Sequence, residues 1–564
     1  MDYGDATNEL QTPLLSPPSP PPLPPTMDSD MNHNETGETA AVDDSECTDS
    51  LQPETDNHAS LHASSSSTPW FQNSHQITAM ISNFSTSYNV VNISLVLPIL
   101  EHIYPPTNPQ DAAACASSLL AGMILGQVVG GALGDSFLGR LGALRLVMAL
   151  QIFASVGSSL IITSKQGDIY LYLAAWRFVL GVGAGGVYPL AAVLSAEQGD
   201  TTQRSESNTN ASTISQDDIM KRVVLTFSTQ GLGFIMVPIV AVLLLYSTDN
   251  LELVWRLLLG LGALPGLCLL CLQWRLYRRN HNNDEQREAV PIEEPDIVVE
   301  RAPLQEEEEE EEQVVPTTTP TSEEEEQQPV SHSSGIWESI RHEPGLGRKL
   351  LGTAGTWFLF DVLFYGNTLF QPIVVEAAFG ATSDPSETPL DLLRKTAQDS
   401  LILTSIALPG YAVAGWVMGK RTCCITQTPR YVMLQGFAAM GILYLTIGWN
   451  WTYLRHYPLV LVFLYGLTFF FANYGPNTTT FILPSLLYSP ECRSTLNGMS
   501  AASGKLGALV GATFFEPAAT RFGDAHIMMI CSSVAAVAFL LTYCFVPSPD
   551  PVPSTQRRTT SALV

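Results

Sequence analysis

The 564-residue sequence predicts an all-α membrane protein with 12 transmembrane helices in two six-helix halves. Three observations predict it. Most of the chain is a succession of apolar runs, many about 20 residues long, the length that crosses a hydrocarbon core of ~30 Å. One long acidic stretch divides these runs into six and six. Lys and Arg gather in alternate loops, the asymmetry that orients a multi-pass protein in its membrane. A soluble core buries a few such helices but not so many in succession, so the lipid bilayer is the expected solvent.

Residues 1–76 carry 13 Asp and Glu, no Lys or Arg, and many Pro and Ser. Too few apolar side chains are present to offset the entropy of ordering, so a disordered cytoplasmic tail is expected. Within it, SPPSPPPLPPT from Ser16 to Thr26 favours polyproline II and is a candidate ligand for a cytoplasmic partner. Thr12-Pro13-Leu14-Leu15 is a weak match to a dileucine sorting signal. The first basic residue is Arg140, so no signal peptide is expected.

The first six spans are expected near 77–100, 112–133, 141–163, 168–195, 222–246 and 252–274, forming an N-terminal half over 77–274. Residues 275–346 form an acidic linker, with seven Glu at 306–312 and four at 323–326. Like charges at that density repel, which suits a tether and leaves a partner-binding role open. The second six spans are expected near 348–375, 398–420, 430–449, 457–487, 496–519 and 525–546, forming a half over 347–546 before a tail at 547–564. The formal charge of −27 resides in the acidic extensions. No basic stripe appears, which argues against nucleic acid as a partner.

Arg140, then Arg204, Lys221 and Arg222, then Arg275, Arg278 and Arg279, then Lys420, Arg421 and Arg430 mark one side of the membrane. That side is expected to be cytoplasmic and to hold both termini and the linker. The nine cysteines form no metal pattern. Cys268 and Cys271 lie within an apolar run, GLCLLCLQW, where small packing residues are expected. Cys423 and Cys424 are expected to be ordinary loop residues. No phosphate-cradling Gly-x-x-x-x-Gly-Lys motif or nucleophile motif occurs, so neither an enzyme nor a cofactor is expected.

Strongly polar side chains inside spans are costly and usually face a cavity. In the seventh span, Trp357, Asp361 and Tyr365 repeat at i, i+4 and i+8, which sets an acid between two hydrogen-bonding aromatics on one stripe. In the tenth, Asn473 and Asn477 flank Gly475-Pro476, where a kink is expected. Lys505 in the eleventh span needs an acid or an anionic substrate, and Asp361 is the candidate partner. The fourth span carries Arg177 and, three turns later on a similar face, Tyr188. Its Gly181 and Gly185 have the small-x-x-x-small spacing of close helix packing. Gln230 in the fifth span is a further buried amide. The halves also echo each other: GGVYPLAAVLSAE ends the fourth span and YGPNTTTFILPSLLYSPE the tenth, each with a helix-interior Pro and a terminal Glu.

These segments carry a resemblance. Gly134-Asp135 followed by Gly139-Arg140 resembles the gating loop motif of the major facilitator superfamily, with one extra residue between Asp and Gly. RFVLGVGAGGVYPL, LLGTAGTWFLFDVLFYGNTLFQ and LTFFFANYGPNTTTFILPSLLYSPECRSTLNGMSAASGKLGALVGA are similar to the phosphate:proton symporter family of plants and fungi. The resemblance implies a major facilitator fold, inorganic phosphate as substrate and a proton or other cation as coupling ion. It implies phosphate contacts at Tyr188, Gln230, Trp357, Asp361, Tyr365, Asn477 and Lys505, with Asp361 as the coupling carboxylate. Three family acids are missing, where this chain has Thr86, Asn89 and Val187. The expected function is therefore secondary transport of inorganic phosphate, with proton coupling altered or carried by Asp361. The alternatives are transport of an organic phosphate such as a glycerophosphodiester, or a non-transporting phosphate sensor. The expected location is the plasma membrane, ahead of a vacuolar or endosomal one.

Overall fold

A computed structural model describes residues 74–108, 110–162, 168–205, 216–288, 336–379, 388–422 and 425–547. The expectations placed on the tail before residue 74, on most of the linker, on Cys423 and Cys424, and on the C-terminal tail lie outside the described residues.

Twelve helical spans follow one another. The first is Ser74–Val91 continued by Ile93–Ile103, the second Gln110–Gly134, the third Gly139–Ser159 and the fourth Asp168–Ser205. The fifth is Gln216–Ser247, and the sixth runs from Leu251–Gly260 through a 3₁₀ turn into Leu264–Glu288. After a linker helix, Ile336–His342, come the seventh, Leu346–Phe379, and the eighth, Pro389–Ala407 with Pro409–Val417. The ninth is Pro429–Trp449, the tenth Pro458–Ala472 through Leu487, the eleventh Arg493–Phe522 and the twelfth Asp524–Phe545.

Among the described residues nine of these spans are long and apolar enough to cross a membrane. The exceptions are the first, seventh and eleventh. Each turns polar side chains inward: Asn83, Thr86 and Asn89; Thr353, Asp361 and Asn367; Ser494, Asn497 and Lys505, all buried. Polar side chains buried in these spans face a cavity or one another.

Glycine sets the helix spacing at two places. A Cβ on Gly185 would stand 2.8 Å from Met123 Cα, so the fourth span lies backbone to backbone against the second. A Cβ on Gly511 would stand 2.5 Å from the Val362 carbonyl, which fixes the eleventh span on the seventh. The two halves meet where the second span packs on the eleventh and the fifth on the eighth. A shift of six spans interchanges those two contacts, the relation expected of an internal repeat.

Several expectations are corrected. The eighth span starts at Pro389 rather than near 398, because Thr388 and Asp391 form a capping box around a Pro at the first turn. The fourth continues to Ser205, well past 195. The tenth is not simply kinked: Asn473–Asn477 form a π-helical turn. Pro476 lacks the amide hydrogen an α-turn needs there, and widening the turn accommodates its ring. Cys268 and Cys271 are exposed on the helix surface rather than packed inside.

Candidate functional site

The centre of the bundle holds one buried ion pair. Lys505 Nζ donates to Asp361 Oδ2 at 2.8 Å and to the Tyr365 hydroxyl at 3.0 Å. The ammonium also stands 4.5 Å from the Tyr365 ring centroid and 5.8 Å from that of Tyr188, within cation–π range of both. Asp361 is 2% exposed and Lys505 5%. Their approach is made possible by Gly504, whose missing Cβ leaves room for the Trp357 indole; a Cβ there would lie 2.8 Å from Nε1. Desolvating two charges costs several kcal/mol each, and the pair holds only because geometry and hydrogen bonds are good.

Across an aromatic floor lies a neutral polar group. Phe481 meets the Tyr188 ring edge-on at 6.4 Å and Phe227 at 4.6 Å, and Phe227 continues to Tyr411 at 5.7 Å. The π-turn sets Asn477 Nδ2 2.8 Å from Asn473 Oδ1 and 2.9 Å from the Tyr411 hydroxyl. Gln230 pairs with the same hydroxyl, and its Oε1 has no partner among the described residues. A cavity of about 160 Å³ opens beside Tyr411 and Asn473, between the first, fifth, seventh, eighth and tenth spans.

The linker end of the bundle is closed by contacts between the halves. Asp135 accepts hydrogen bonds from the Thr495 amide at 2.6 Å, the Thr495 hydroxyl at 2.6 Å and the Ser494 amide at 3.3 Å. Arg140 bonds to Asp135, to Glu197 at 3.0 Å and to the Pro490 carbonyl at 2.8 Å, and Arg493 reaches Glu197 at 3.6 Å. Gly139 has φ +65°, which turns the extra residue of the loop so that Arg140 folds back on Asp135. Behind Ser489, Glu343 accepts from Lys349 Nζ at 2.6 Å and from the Ser489 amide at 3.3 Å. Burial pushes the Glu343 carboxyl up, but Lys349 and Ser489 outweigh it and hold it below its ordinary value of 4.5.

Of the residues singled out in the sequence, Tyr188, Trp357, Asp361, Tyr365 and Lys505 come together. Gln230 and Asn477 meet at Tyr411, across the Phe481–Phe227 floor from that cluster. Asp135 and Arg140 lie apart from them, in the contacts between the halves at the linker end. Arg177 does not share a cluster with Tyr188; it bonds to Asn92 Oδ1 at 3.1 Å and to the Val90 carbonyl at 3.3 Å. At the positions of the missing acids, Thr86 donates to Gln151 at 2.8 Å, Asn89 to the Gly262 carbonyl at 2.7 Å, and Val187 is core. Tyr411, Glu197, Arg493 and Thr495 were not singled out as site residues. Tyr411 had a visible signal, a hydroxyl inside an apolar span after Pro409-Gly410.

A helical bundle in two repeats, with a charged pair at its centre and a gate at one end, has the form of a secondary transporter. The Major Facilitator Superfamily profile matches residues 79–512. The chain belongs to the major facilitator superfamily, in the branch that holds inorganic phosphate transporters. It is 30% identical over 520 residues to the protein named "Probable inorganic phosphate transporter 1-12" of Oryza sativa subsp. japonica, covering 85% of this chain and 90% of that one. It is 30% identical over 480 residues to inorganic phosphate transporter PT2 of Toxoplasma gondii, covering 84% of this chain and 71% of that one. In fold it is similar to the proton:xylose symporter XylE, with a TM-score of 0.57 at 17% identity, covering 85% of this chain and 96% of that one. The chain is a transporter and not an enzyme.

Proposed function

We propose that the chain carries inorganic phosphate across a membrane by alternating access, coupled to a proton or other cation through Asp361. The observation that carries this reading is the buried Lys505–Asp361 pair at 2.8 Å, faced by Tyr188 and Tyr365. Phosphate takes the Lys505 ammonium, with Tyr188, Tyr365, Trp357, Gln230 and Asn477 as further contacts. Asp361, released from its partner in a site of low dielectric, then takes up a proton. Asp135 and Arg140 close the linker end while the opposite end loads. The two moving halves are residues 77–274 and 347–546, with the linker and both termini in the cytoplasm and the carrier in the plasma membrane. The relatives' names support the substrate, and the distribution of Lys and Arg supports the orientation.

The cavity of about 160 Å³ beside Tyr411 favours a second reading, in which the phosphate carries an organic substituent that fills it. Uptake of labelled phosphate into proteoliposomes, with and without an inward proton gradient, tests the first. Gradient-stimulated uptake is expected. Phosphate uptake indifferent to the gradient would remove proton coupling. No phosphate uptake, with uptake of a glycerophosphodiester, would replace the first reading by the second.

A further inference from the structure

One buried charge is not used by the site described above. Arg177 is 1% exposed, yet among the described residues no carboxylate pairs with it. Its bonds go to a neutral amide, Asn92 Oδ1, and a neutral carbonyl, Val90, and its Nε has no partner. A guanidinium keeps its charge at any ordinary pH, so a full positive charge stays in the bundle uncompensated. Lys505, by contrast, is neutralised by Asp361. Burying an unpaired charge is expensive, and such residues in spans are functional by default.

The position of Arg177 suggests what the charge does. It packs against the break in the first span, where Ser74–Val91 gives way to Ile93–Ile103. Val91, Ser94 and Leu95, on the same turns, line the cavity of about 160 Å³. The far wall supplies Thr396, Ser400 and Thr404, and among the described residues no charged side chain lines the cavity. Arg177 and the cavity are therefore separated by one helix, about 10 Å across. Lys395 and Asp399, next to Thr396 and Ser400 on the far wall, offset each other, so a low-dielectric cleft with no charged lining takes the sign of Arg177.

We propose that Arg177 gives this cavity a positive potential, making it an anion-selecting vestibule that feeds the Lys505 site, and that Asn92 is kept neutral so that the charge survives. The vestibule's selectivity for anions rests on the geometry, and its role in feeding phosphate rests on the function proposed above. The identity of residue 92 is the means of testing it. Asn92→Asp keeps the hydrogen bond from Arg177 and gives up the one that Asn92 Nδ2 donates to the Leu258 carbonyl at 3.2 Å, but supplies a counter-ion about 3 Å from the guanidinium, where an opposite charge keeps the carboxylate ionised. A residue that merely staples the helix break leaves the charge preference of the cavity unchanged under that exchange; an electrostatic one is cancelled by it.

The measurement is the rate at which a Ser400→Cys vestibule cysteine is modified by an anionic and by a cationic thiol reagent, against the chain without that cysteine. It needs no substrate, so it separates this inference from the phosphate reading. Asn92→Asp and Arg177→Gln are both expected to lower the anionic-to-cationic rate ratio at least about tenfold, as for a unit charge ~20 Å away at an effective dielectric of ~20, whose opposite effects on the two reagents multiply in the ratio. Arg177→Lys is expected to keep the ratio, and in phosphate uptake Asn92→Asp is expected to raise KM about tenfold. An unchanged ratio in Asn92→Asp overturns the proposal, whatever Arg177→Gln does or however poorly it folds. Failure of both reagents to modify the cysteine overturns the vestibule itself.

Discussion

Replacing Lys505 by Met removes the ammonium while nearly keeping the side-chain volume, and leaves the Asp361 carboxyl 2% exposed with no cation. Taking one partner from a buried pair costs about 3–5 kcal/mol, whereas replacing both by groups of similar shape is close to neutral. Asp361→Asn alone leaves the ammonium without a counter-charge, with an amide oxygen, the Tyr365 hydroxyl at 3.0 Å and two ring faces to hold it, and a cost in the same range is expected. The double variant, Asp361→Asn with Lys505→Met, is then expected to be more stable than either single variant. The cycle should show a coupling of about 3 kcal/mol or more. Reversible unfolding in mixed detergent, followed by tryptophan fluorescence, measures the stabilities; uptake measures transport. All three variants should fail to transport, so the recovery of stability in the double variant is independent of activity. Single effects below about 1 kcal/mol, or effects that simply add, would refute a paired resting state.

Three further outcomes follow from the gate and the linker. Asp135→Ala removes three hydrogen bonds from Ser494 and Thr495 and takes one of its partners from Arg140, so cysteines placed at the linker end should be labelled at least about tenfold faster, since charged hydrogen bonds are worth ~1.5–3 kcal/mol each. Gly131→Ala should hold the same end open and depress uptake, because a Cβ there would stand 2.6 Å from the Ser494 carbonyl; wild-type labelling rates would contradict this. Glu343→Gln should lower stability at neutral pH by losing the Lys349 bridge. The folded Glu343 carboxyl lies below its ordinary value of 4.5, so its stabilisation is present above that value and is lost as pH falls through the folded one. The difference between wild type and Glu343→Gln in pH-dependent unfolding should therefore vanish in acid, and a difference that persisted there would show that the bridge is not its source.

The span count was legible because hydrocarbon thickness fixes helix length, and the stripe Trp357–Asp361–Tyr365 because helical spacing fixes which residues share a face. Lys505 was legible as a charge needing a partner. Long-range pairings were not, since nothing local in YAVAG tells that Tyr411 meets Asn477 from another half-helix. The gate shows the same limit. Glu197 and Glu491 are equivalent in the internal echo, yet Glu197 joins Arg140 and Arg493 while Glu491 is exposed. Repeats inherit positions, but pairing depends on which face the partner half presents. The π-turn was hidden for a different reason: Pro476 announces a broken hydrogen bond but not whether the helix kinks or widens to absorb it.

The eleventh span ties the site to the gate. It carries Thr495, which caps Asp135, Gly498, which lets the second span approach, and Lys505, which holds Asp361. Ten residues separate Thr495 from Lys505 in one unbroken helix, about 15 Å at 1.5 Å per residue. A helix of that length moves as a rod, so a shift that relieves Lys505 of Asp361 is carried to the Asp135 contacts. Those contacts sit where Gly131 and Gly498 bring the backbones of the second and eleventh spans together. Coupling of that kind requires no dedicated pathway, only a rigid element that both the anion and the gate bias. On the proposed mechanism this is how occupancy of one ammonium selects which end of the carrier is open.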